Sequence, residues 1–357
     1  MRSRYRRFLE CAAVVAACVA SGTLECGGVQ LTEPERRGAQ SYERMCAVCH
    51  GANGEGYAAD QAPMLANQRF LASATDDFLR SAIEGGRGGT TMSAWGRLRG
   101  GPLVRGDAAS VVAYLRAWQD GPRASLDERP LGGDAKRGAD VFARECAACH
   151  GASGTGGPNV GIGGRELLSS ASNGFLRYAI RGGRPGTLMP AFEKKLGDAG
   201  IEDVVALLRS WQAQSVGKAA MPPPKPPPIP LGPVPLNPLG PEPIGFNAAP
   251  GTTKIEVVKG QLDRGARMAI LDARASSDYL NEHIAGAVSV PFYDPEPYVA
   301  QLPKQSWLVC YCACPHAESG QLAQKLMAKG FSKVTILDEG LGVWKARKHG
   351  THAGVDP

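Results

Sequence analysis

The sequence predicts a multidomain protein in which two related all-α domains precede one α/β domain. Three observations carry this prediction: an internal repeat, a proline-rich segment after it, and an alternation of short apolar strands with helices near the C-terminus. The chain of 357 residues is long enough for three domains of ordinary size. Its net charge of +6 is not gathered into a basic stripe, so no nucleic-acid partner is expected.

The first 17 residues have the features of a signal peptide of the lipoprotein type. Arginines stand at positions 2, 4, 6 and 7, and the apolar stretch that follows is too short to span a bilayer. Small residues precede Cys18, as in a bacterial lipoprotein box; the alternative is ordinary cleavage nearby, with Cys18 discarded. Both alternatives place the mature protein in the periplasm or cell envelope, and the first adds a lipid anchor in the membrane.

Residues 31–122 and 130–217 form an internal repeat and are predicted to be two domains. Residues 37–56 match 137–156 at 12 of 20 positions, 78–96 match 175–193 at 12 of 19, and 111–119 match 204–212 at 7 of 9. The offset falls from 100 to 97 to 93 residues, so the copies differ by loop deletions. In each copy a first helix, capped by Asp134 in the second, precedes a middle helix and a last helix. The middle helix of the first copy is predicted to start near Thr75 and to end at Gly85 and Gly86.

Each repeat contains one C-x-x-C-H motif, the attachment pattern of c-type haem. The motifs are Cys46, Cys49 and His50 in the first repeat and Cys146, Cys149 and His150 in the second. Two thiols one helical turn apart can each add to a haem vinyl group, and the histidine then faces the iron as an axial ligand. A bare redox C-x-x-C, or half of a zinc site, requires no histidine after the second cysteine. The sequence therefore predicts two covalently bound haem c groups.

Methionines at matching repeat positions are the candidates for the second axial ligand. Met92 and Met189 follow the two motif histidines by 42 and 39 residues. A methionine is more commonly a core residue, but the paired position favours ligation. Met64, the rival in the first repeat, has no counterpart in the second. The predicted iron ligands are thus His50 with Met92 and His150 with Met189, a ligand set that favours a relatively high reduction potential.

With these motifs, residues 31–217 resemble tandem class I cytochrome c domains of the small bacterial type. The second copy has the Met-Pro-Ala-Phe loop typical of that type at 189–192, whereas the first departs from it at Ser93 and Trp95. The resemblance implies that a proline carbonyl, from Pro63 and from Pro158, bonds to each motif histidine. It also implies electron transfer between redox partner proteins, a dehydrogenase or a terminal oxidase.

Residues 218–253 are predicted to be a linker, and residues 254–357 an α/β domain. Thirteen of the thirty residues from 221 to 250 are proline, which favours a semi-rigid polyproline spacer. After it, strands are predicted at 268–272, 307–311 and 334–337, with a helix at 319–329. Strand–helix alternation of this kind predicts a parallel sheet.

Cys312 is the candidate reactive thiol of the third domain. It follows a predicted strand and precedes a helix, where backbone N–H groups lower the pKa of a thiol and can bind an anion. The alternative is that Cys312 and Cys314 are structural thiols, as is expected of Cys310 in the strand. His316 either assists formation of the thiolate or is a solvated loop residue.

Residues 254–357 also resemble the rhodanese domain. The matching segments are Asp272 to Arg274 at a strand end, the turn at 282–287, and the closing segment at 338–344. The resemblance implies that Cys312 accepts sulfane sulfur as a persulfide. The loop at 312–318 departs from the family by one added residue, by the lack of an arginine and by an acid near its end, which argues against efficient use of thiosulfate.

The sequence as a whole predicts an exported dihaem electron carrier with a tethered rhodanese-like domain that handles sulfane sulfur. The main alternative is a sulfur-oxidising enzyme in which Cys312 accepts sulfur from a sulfane-sulfur donor and the haems take the electrons. A third alternative is an inactive C-terminal docking module. Whether the protein is an enzyme, with sulfurtransferase activity, is therefore left open by the residues themselves.

Overall fold

A computed structural model of the chain describes residues 30–59, 61–215, 233–313 and 316–357. The predicted signal peptide, Cys18, Cys314 and the first part of the predicted linker lie outside these residues. The described residues form two compact units. One contains the two repeats apart from Ser93–Leu103, and the other contains Ser93–Leu103 together with the C-terminal residues from 233 onward.

The two repeats are helical and have the same order of helices. The helices of the first repeat are α1 (Glu33–Met45), α2 (Ala47–His50), α3 (Gln68–Ser73), α4 (Asp76–Gly85) and α5 (Arg105–Ala117). Those of the second are α6 (Ala135–Glu145), α7 (Ala147–His150), α8 (Arg165–Ser170), α9 (Asn173–Gly182) and α10 (Glu193–Ser215). Helix α10 is interrupted at Gly197, whose φ of 59° is not helical.

Side-chain caps fix the starts of these helices, as the sequence predicts. Thr75 accepts a hydrogen bond from the Phe78 amide at the start of α4, and Asp134 accepts one from the Arg137 amide at the start of α6. Such caps satisfy backbone N–H groups that have no partner within the helix. Helix α4 ends at Gly85, with Gly86 as its C-cap, which is also the predicted end.

The first and last helices of each repeat cross at a glycine. A Cβ added to Gly38 would lie 1.9 Å from the Ser110 carbonyl oxygen, and one added to Gly138 would lie 2.0 Å from that of Asp203. Because any side chain at these positions would separate the two helices, the crossing depends on glycine in both repeats. The duplication seen in the sequence is therefore present in the packing.

A half-buried arginine of each last helix supports the same turn in both repeats. Arg116 donates to the carbonyls of Leu71 and Ala74, and Arg209 donates to those of Leu168 and Ala171. These carbonyls belong to the ends of α3 and α8, where helix backbones lack internal acceptors for their C=O groups. The guanidinium groups therefore connect the last helix of each repeat to the turn that precedes its middle helix.

The second unit is built on a five-stranded parallel sheet with strand order β1-β6-β5-β2-β4. These strands are β1 (Thr252–Thr253), β2 (Met268–Asp272), β4 (Ala287–Ser289), β5 (Trp307–Tyr311) and β6 (Val334–Leu337). Two short antiparallel strands, β3 (His283–Ile284) and β7 (Thr351–His352), pair separately. The helices are α11 (Ile255–Asp263), α12 (Ser276–Asn281), α13 (Glu296–Val299), α14 (Ala317–Ala328) and α15 (Gly340–Ala346).

The three strands predicted for this unit are confirmed, and the predicted helix at 319–329 is observed as α14. Strands β2 and β6 are buried along their whole length and β5 along nearly all of it, which agrees with apolar runs rather than alternation in their sequences. The predicted fold class, helical domains followed by an α/β domain with a parallel sheet, is therefore confirmed. Within the described residues, no helix has both the length and the apolar character needed to cross a membrane.

Candidate functional site

A single helical turn brings together the cysteines and histidine of each C-x-x-C-H motif. The His50 amide donates to the Cys46 carbonyl at 2.9 Å, and the His150 amide donates to the Cys146 carbonyl at 2.9 Å. The next residue, Gly51 or Gly151, has a φ of 78° and ends the turn. No disulfide is formed by any described motif cysteine, so the geometry leaves the thiols available for covalent attachment.

A backbone carbonyl fixes the orientation of each motif histidine. The Nδ1 atom of His50 lies 2.9 Å from the Pro63 carbonyl oxygen, and Nδ1 of His150 lies 2.8 Å from that of Val160. A carbonyl can only accept, so Nδ1 carries the proton and Nε2 keeps a lone pair for a metal. This is the tautomer that an axial haem ligand requires.

The predicted bond between His50 and the Pro63 carbonyl is present. The predicted bond between His150 and the Pro158 carbonyl is wrong, because the Val160 carbonyl takes that place. Position 160 follows Pro63 by 97 residues, the offset that applies after the loop deletion, whereas the motifs themselves are 100 residues apart. The Asn159 amide donates to the Cys149 carbonyl at 3.1 Å, which closes the shortened loop and places the Val160 carbonyl against the histidine. The deletion therefore lies between the motif and this carbonyl.

His50 is the more enclosed of the two histidines. Its side chain is only 7% exposed, and burial lowers its pKa. Burial disfavours the imidazolium form, because a charged ring loses its hydration. The ring is thus held neutral, in the form that binds metals.

The two candidate methionine ligands lie in loops with identical backbone hydrogen bonds. The Arg87 amide donates to the Met92 carbonyl at 3.0 Å, and the Arg184 amide donates to the Met189 carbonyl at 3.0 Å. In both loops a threonine hydroxyl, from Thr90 or Thr187, accepts from the methionine amide. The sequence predicts both methionines as ligands by their matched positions, and the matched loop geometry supports that prediction.

Glycine is required where the second loop leaves its helix. Gly183 has a φ of 59°, and a Cβ there would lie 2.4 Å from the Pro190 carbonyl group. The loop can therefore fold back on the end of α9 only without a side chain at this position.

Arg184 provides a test of whether the residues fit a haem. Its guanidinium lies over the rings of Phe70 and Phe175, and its Nη1 atom is buried with no hydrogen-bond partner in the described structure. Burial and the nearby charge of Arg69 lower the pKa of Arg184 to about 10. A buried cation without an acidic partner is unfavourable unless an anion reaches it. The carboxylates of a haem are anions of that kind, so the arginine fits the predicted cofactor.

Each methionine loop is also anchored by the other repeat, which the sequence did not reveal. Asn67 of the first repeat donates to the Pro185 carbonyl at 2.7 Å, and Arg87 donates to the Glu166 carbonyl at 3.1 Å. The rings of Phe78 and Phe175, which occupy equivalent repeat positions, lie 4.8 Å apart. The two repeats therefore share an aromatic contact beside both loops. The sequence signal for this contact is that both phenylalanines occupy the same repeat position.

In the second unit, Cys312 comes directly after β5 and is 1% exposed. Its sulfur lies 3.3 Å from the Ser319 hydroxyl, in the first turn of α14. Cys314, predicted as its neighbour in the loop, lies outside the described residues. Cys310 within β5 is buried and burial raises its pKa, which agrees with the expected structural thiol.

The two charged residues of the loop differ in their surroundings. His316 lies against Asp338, with Nε2 and Oδ1 3.3 Å apart, so that contact engages one of its two ring nitrogens. Glu318 is 8% exposed, and burial raises its pKa well above the usual value, with further increases from Cys312 and Asp278. A neutral, proton-bearing carboxyl therefore lies in the electrostatic environment of the cysteine. The sequence showed the acid but not its burial.

A buried ion pair organises the strand ends next to Cys312. The Arg274 side chain donates three hydrogen bonds to the Asp272 carboxylate, and the Tyr311 hydroxyl donates a fourth. Arg274 also donates to the Glu282 carbonyl. Asp272 is fully buried, and its oxygens are satisfied by these donors. The pair lies at the position that the rhodanese resemblance singled out.

Comparisons with known proteins agree with these features. A family model described as cytochrome c oxidase, cbb3-type, subunit III matches residues 33–115 and 133–208, and a rhodanese-like domain model matches residues 255–347. The cbb3-type cytochrome c oxidase subunit CcoP of Azospirillum brasilense is 32% identical over 48% of this chain and 61% of its own length. Cytochrome c6 of Thermosynechococcus vestitus is 36% identical over 25% of this chain and 81% of its own length.

The rhodanese-like domain of an Anabaena sp. protein, solved by NMR, is 30% identical over 29% of this chain and 80% of that one, with a TM-score of 0.28. The chain spans about three fifths of the length of the CcoP relative. The chain belongs to the c-type cytochromes. It carries two cytochrome c segments of the cbb3 subunit type, which imply covalently bound haem c, fused to a C-terminal rhodanese-like domain.

Proposed function

We propose that this protein is a dihaem electron carrier of the bacterial cell envelope. His50 and Met92 would hold one haem iron, and His150 and Met189 the other, with Cys46, Cys49, Cys146 and Cys149 as the attachment thiols. The observation that carries this proposal is the backbone carbonyl beside Nδ1 of both histidines, because a proton held there leaves each Nε2 to a metal. Bound haem would supply a one-electron iron couple, and the histidines and methionines of the chain would hold its iron.

A relative supports the proposed partner, and the predicted signal peptide supports the proposed location. Because the curated relative is an oxidase subunit, the proposed acceptor is a terminal oxidase, with a dehydrogenase as the donor. Export through the predicted signal peptide, with Cys18 as the lipidated residue, would hold the carrier at the membrane. Covalent haem attachment in bacteria also takes place outside the cytoplasm.

One preparation tests the carrier proposal. Protein expressed in a host that matures cytochromes c is expected to show by intact mass two haems, a cleaved N-terminus and a lipid on Cys18. Its reduced spectrum is expected to be low-spin at both irons. A mass that accounts for one haem or none, or a five-coordinate haem in the wild-type protein, would contradict the assignment.

The C-terminal domain is proposed to accept sulfane sulfur on Cys312. The thiolate would attack the outer sulfur of the donor, and the former partner of that sulfur would leave with the electron pair of the broken S–S bond. The buried Glu318 carboxyl offers a proton to that leaving group but no positive charge to bind an anionic donor. A neutral or cationic persulfide is therefore favoured over thiosulfate.

A coupled assay separates a carrier with a sulfur-handling domain from a sulfur-oxidising enzyme. Oxidised protein is mixed with a cysteine persulfide ester or with thiosulfate, and haem reduction and the mass of the Cys312 peptide are followed. Persulfide on Cys312 with oxidised haems supports the first reading. Haem reduction that Cys312→Ser abolishes supports the enzyme, and absence of persulfide from either donor supports an inactive docking domain.

A further inference from the structure

The two methionine loops differ at two residues, and both residues of the first loop are enclosed. Ser93 and Trp95 take the places of Pro190 and Phe192, and each is 5% exposed. They open the segment Ser93–Leu103, which forms one compact unit with the C-terminal residues. In the second loop, by contrast, Leu188 is 81% exposed and Pro190 is also exposed. The departures from the repeat therefore coincide with a contact that, among the described residues, only the first loop makes.

Ser93 makes a hydrogen bond that a proline cannot make. Its hydroxyl donates to Oδ2 of Asp278 at 2.5 Å. A short bond to a carboxylate is among the stronger hydrogen bonds in proteins. Burial raises the pKa of Asp278, whereas the charge of Arg274 and the bond from Ser93 lower it by favouring the charged form. The serine thus stabilises the carboxylate, and the carboxylate holds the residue that directly follows Met92.

Further contacts hold the rest of the segment. The ring of Trp95 packs edge-on against Tyr293, with centroids 5.4 Å apart, and against Phe292 at 6.5 Å. The Ser276 hydroxyl donates to the Gly100 carbonyl at 2.5 Å. Ser276 and Asp278 both lie on α12, so one short helix holds the segment near both of its ends.

The same contacts reach the surroundings of Cys312. Lys325, on the helix that follows the cysteine loop, donates to the Phe292 carbonyl at 2.7 Å. The Glu318 carboxyl, in the first turn of that helix, interacts electrostatically with both Cys312 and Asp278. Helix α14 therefore contacts both Cys312, through Ser319, and Phe292, through Lys325.

We propose that Asp278 is a positioning residue that acts through Ser93 on the Met92 loop, so that the C-terminal domain stabilises methionine ligation at the first haem only. This inference rests on the proposed role of Met92.

The test uses full-length ferric holoprotein and imidazole, which binds the iron when a methionine loop opens. Ser93→Ala is expected to raise imidazole affinity at the first haem about tenfold, the change that 1.4 kcal/mol produces, and to leave the second haem unchanged. Asp278→Asn is also expected to raise the imidazole affinity at the first haem. Amide hydrogen exchange of residues 93–103 is expected to accelerate in both variants.

Ser81→Ala is the matched control, because the Ser81 hydroxyl donates only to its own helix, to the Phe78 carbonyl. This variant is expected to leave the imidazole affinity of both haems unchanged. The inference would be overturned if Ser93→Ala and Asp278→Asn changed the imidazole affinity equally at both haems, or changed it at neither. If Ser93→Ala shifts the first haem while Asp278→Asn unfolds α12, the exchange data from Ser93→Ala still decide the outcome.

Met92→Ala and Met189→Ala assign the two haem signals and separate the two proposals. If Met92→Ala leaves every methionine-dependent absorption band in place, the ligand assignment itself fails. If Met92→Ala removes the first band while the Ser93 and Asp278 variants behave as wild type, only the positioning role is lost.

Discussion

The two methionine loops have the same internal hydrogen bonds but different surroundings. The Met92 loop continues into a segment held by Asp278 and Ser276, whereas the Met189 loop continues into exposed residues before α10. The difference teaches that a repeat can keep the hydrogen bonds within a loop while the residues after that loop make different contacts. Ser93 and Trp95, the two departures from the repeat, make part of these contacts, and Gly100 makes another.

The largest expected effect comes from removing one methionine at a time. Met92→Ala and Met189→Ala should each abolish one of two methionine–iron bonds, because no other thioether occupies the matched loop position. Each variant is expected to lose half of the methionine-dependent charge-transfer absorption of the ferric protein, and the double variant all of it. Met64→Ala, at a methionine with no repeat counterpart, is the control and should lose none.

If Met64→Ala instead removed half of the band, the first ligand would be reassigned to that residue. The comparison of loops would then break, since the two haems would be bound by different parts of the repeat.

A second contrast concerns equivalent arginines of the middle helices. Arg177 is 1% exposed and donates two hydrogen bonds to the Glu202 carboxylate, and also to carbonyls of the segment between the repeats. Its counterpart Arg80 pairs with the exposed Asp77 on its own helix. Position 109, the counterpart of Glu202, is an alanine. Only the second repeat has a buried ion pair there.

Glu202→Gln is expected to lower the free energy of unfolding of the second repeat by about 3 kcal/mol, because it leaves Arg177 buried without its counter-charge. Asp77→Asn is the matched control at an exposed pair and should cost less than about 1 kcal/mol. Denaturant titration followed by the haem absorbance of each repeat measures both. Similar losses in the two variants would show that burial does not distinguish the pairs.

The Glu202 pair also predicts a dependence on pH. The hydrogen bonds from Arg177 lower the pKa of Glu202 to about 2, from an ordinary value of 4.5. A lowered carboxyl pKa contributes stability above pH 4.5 and loses it as the pH falls from there toward 2. The free energy of unfolding of the second repeat should therefore fall over that pH interval. Glu202→Gln should make this free energy less dependent on pH. An unchanged acid profile in the variant would assign the loss to other carboxyls.

Much of this architecture could be predicted from local sequence signals. The caps at Thr75 and Asp134, the strands of the parallel sheet and the matched methionine loops all follow from residues close together in the chain. The sequence predicts the histidine-binding carbonyl at Pro158, two residues before its observed position at Val160. The position of a loop deletion cannot be read from the matched segments on either side of it. Contacts between distant segments, such as Ser93 with Asp278, carried no local signal.

The smallest expected effects concern the caps of the two middle helices, which differ in one bond. Thr75 accepts from the Phe78 amide at 3.0 Å and Ser172 accepts from the Phe175 amide at 3.1 Å, but Ser172 also donates to the Glu128 carboxylate. Loss of a cap hydroxyl typically costs about 1 kcal/mol. Thr75→Ala should cost about that amount.

Ser172→Ala should cost about 1 kcal/mol more than Thr75→Ala, because it also removes a hydrogen bond to a charged group. In Ser172→Ala the Glu128 carboxylate still accepts a hydrogen bond from the Gly174 amide at 2.9 Å. The additional loss of unfolding free energy is therefore modest. Unfolding titrations of the two single variants and of Ser172→Ala combined with Glu128→Gln measure the difference. If the Glu128 bond supplies the excess, Ser172→Ala should cost less in the Glu128→Gln background, and additive losses would place its origin elsewhere.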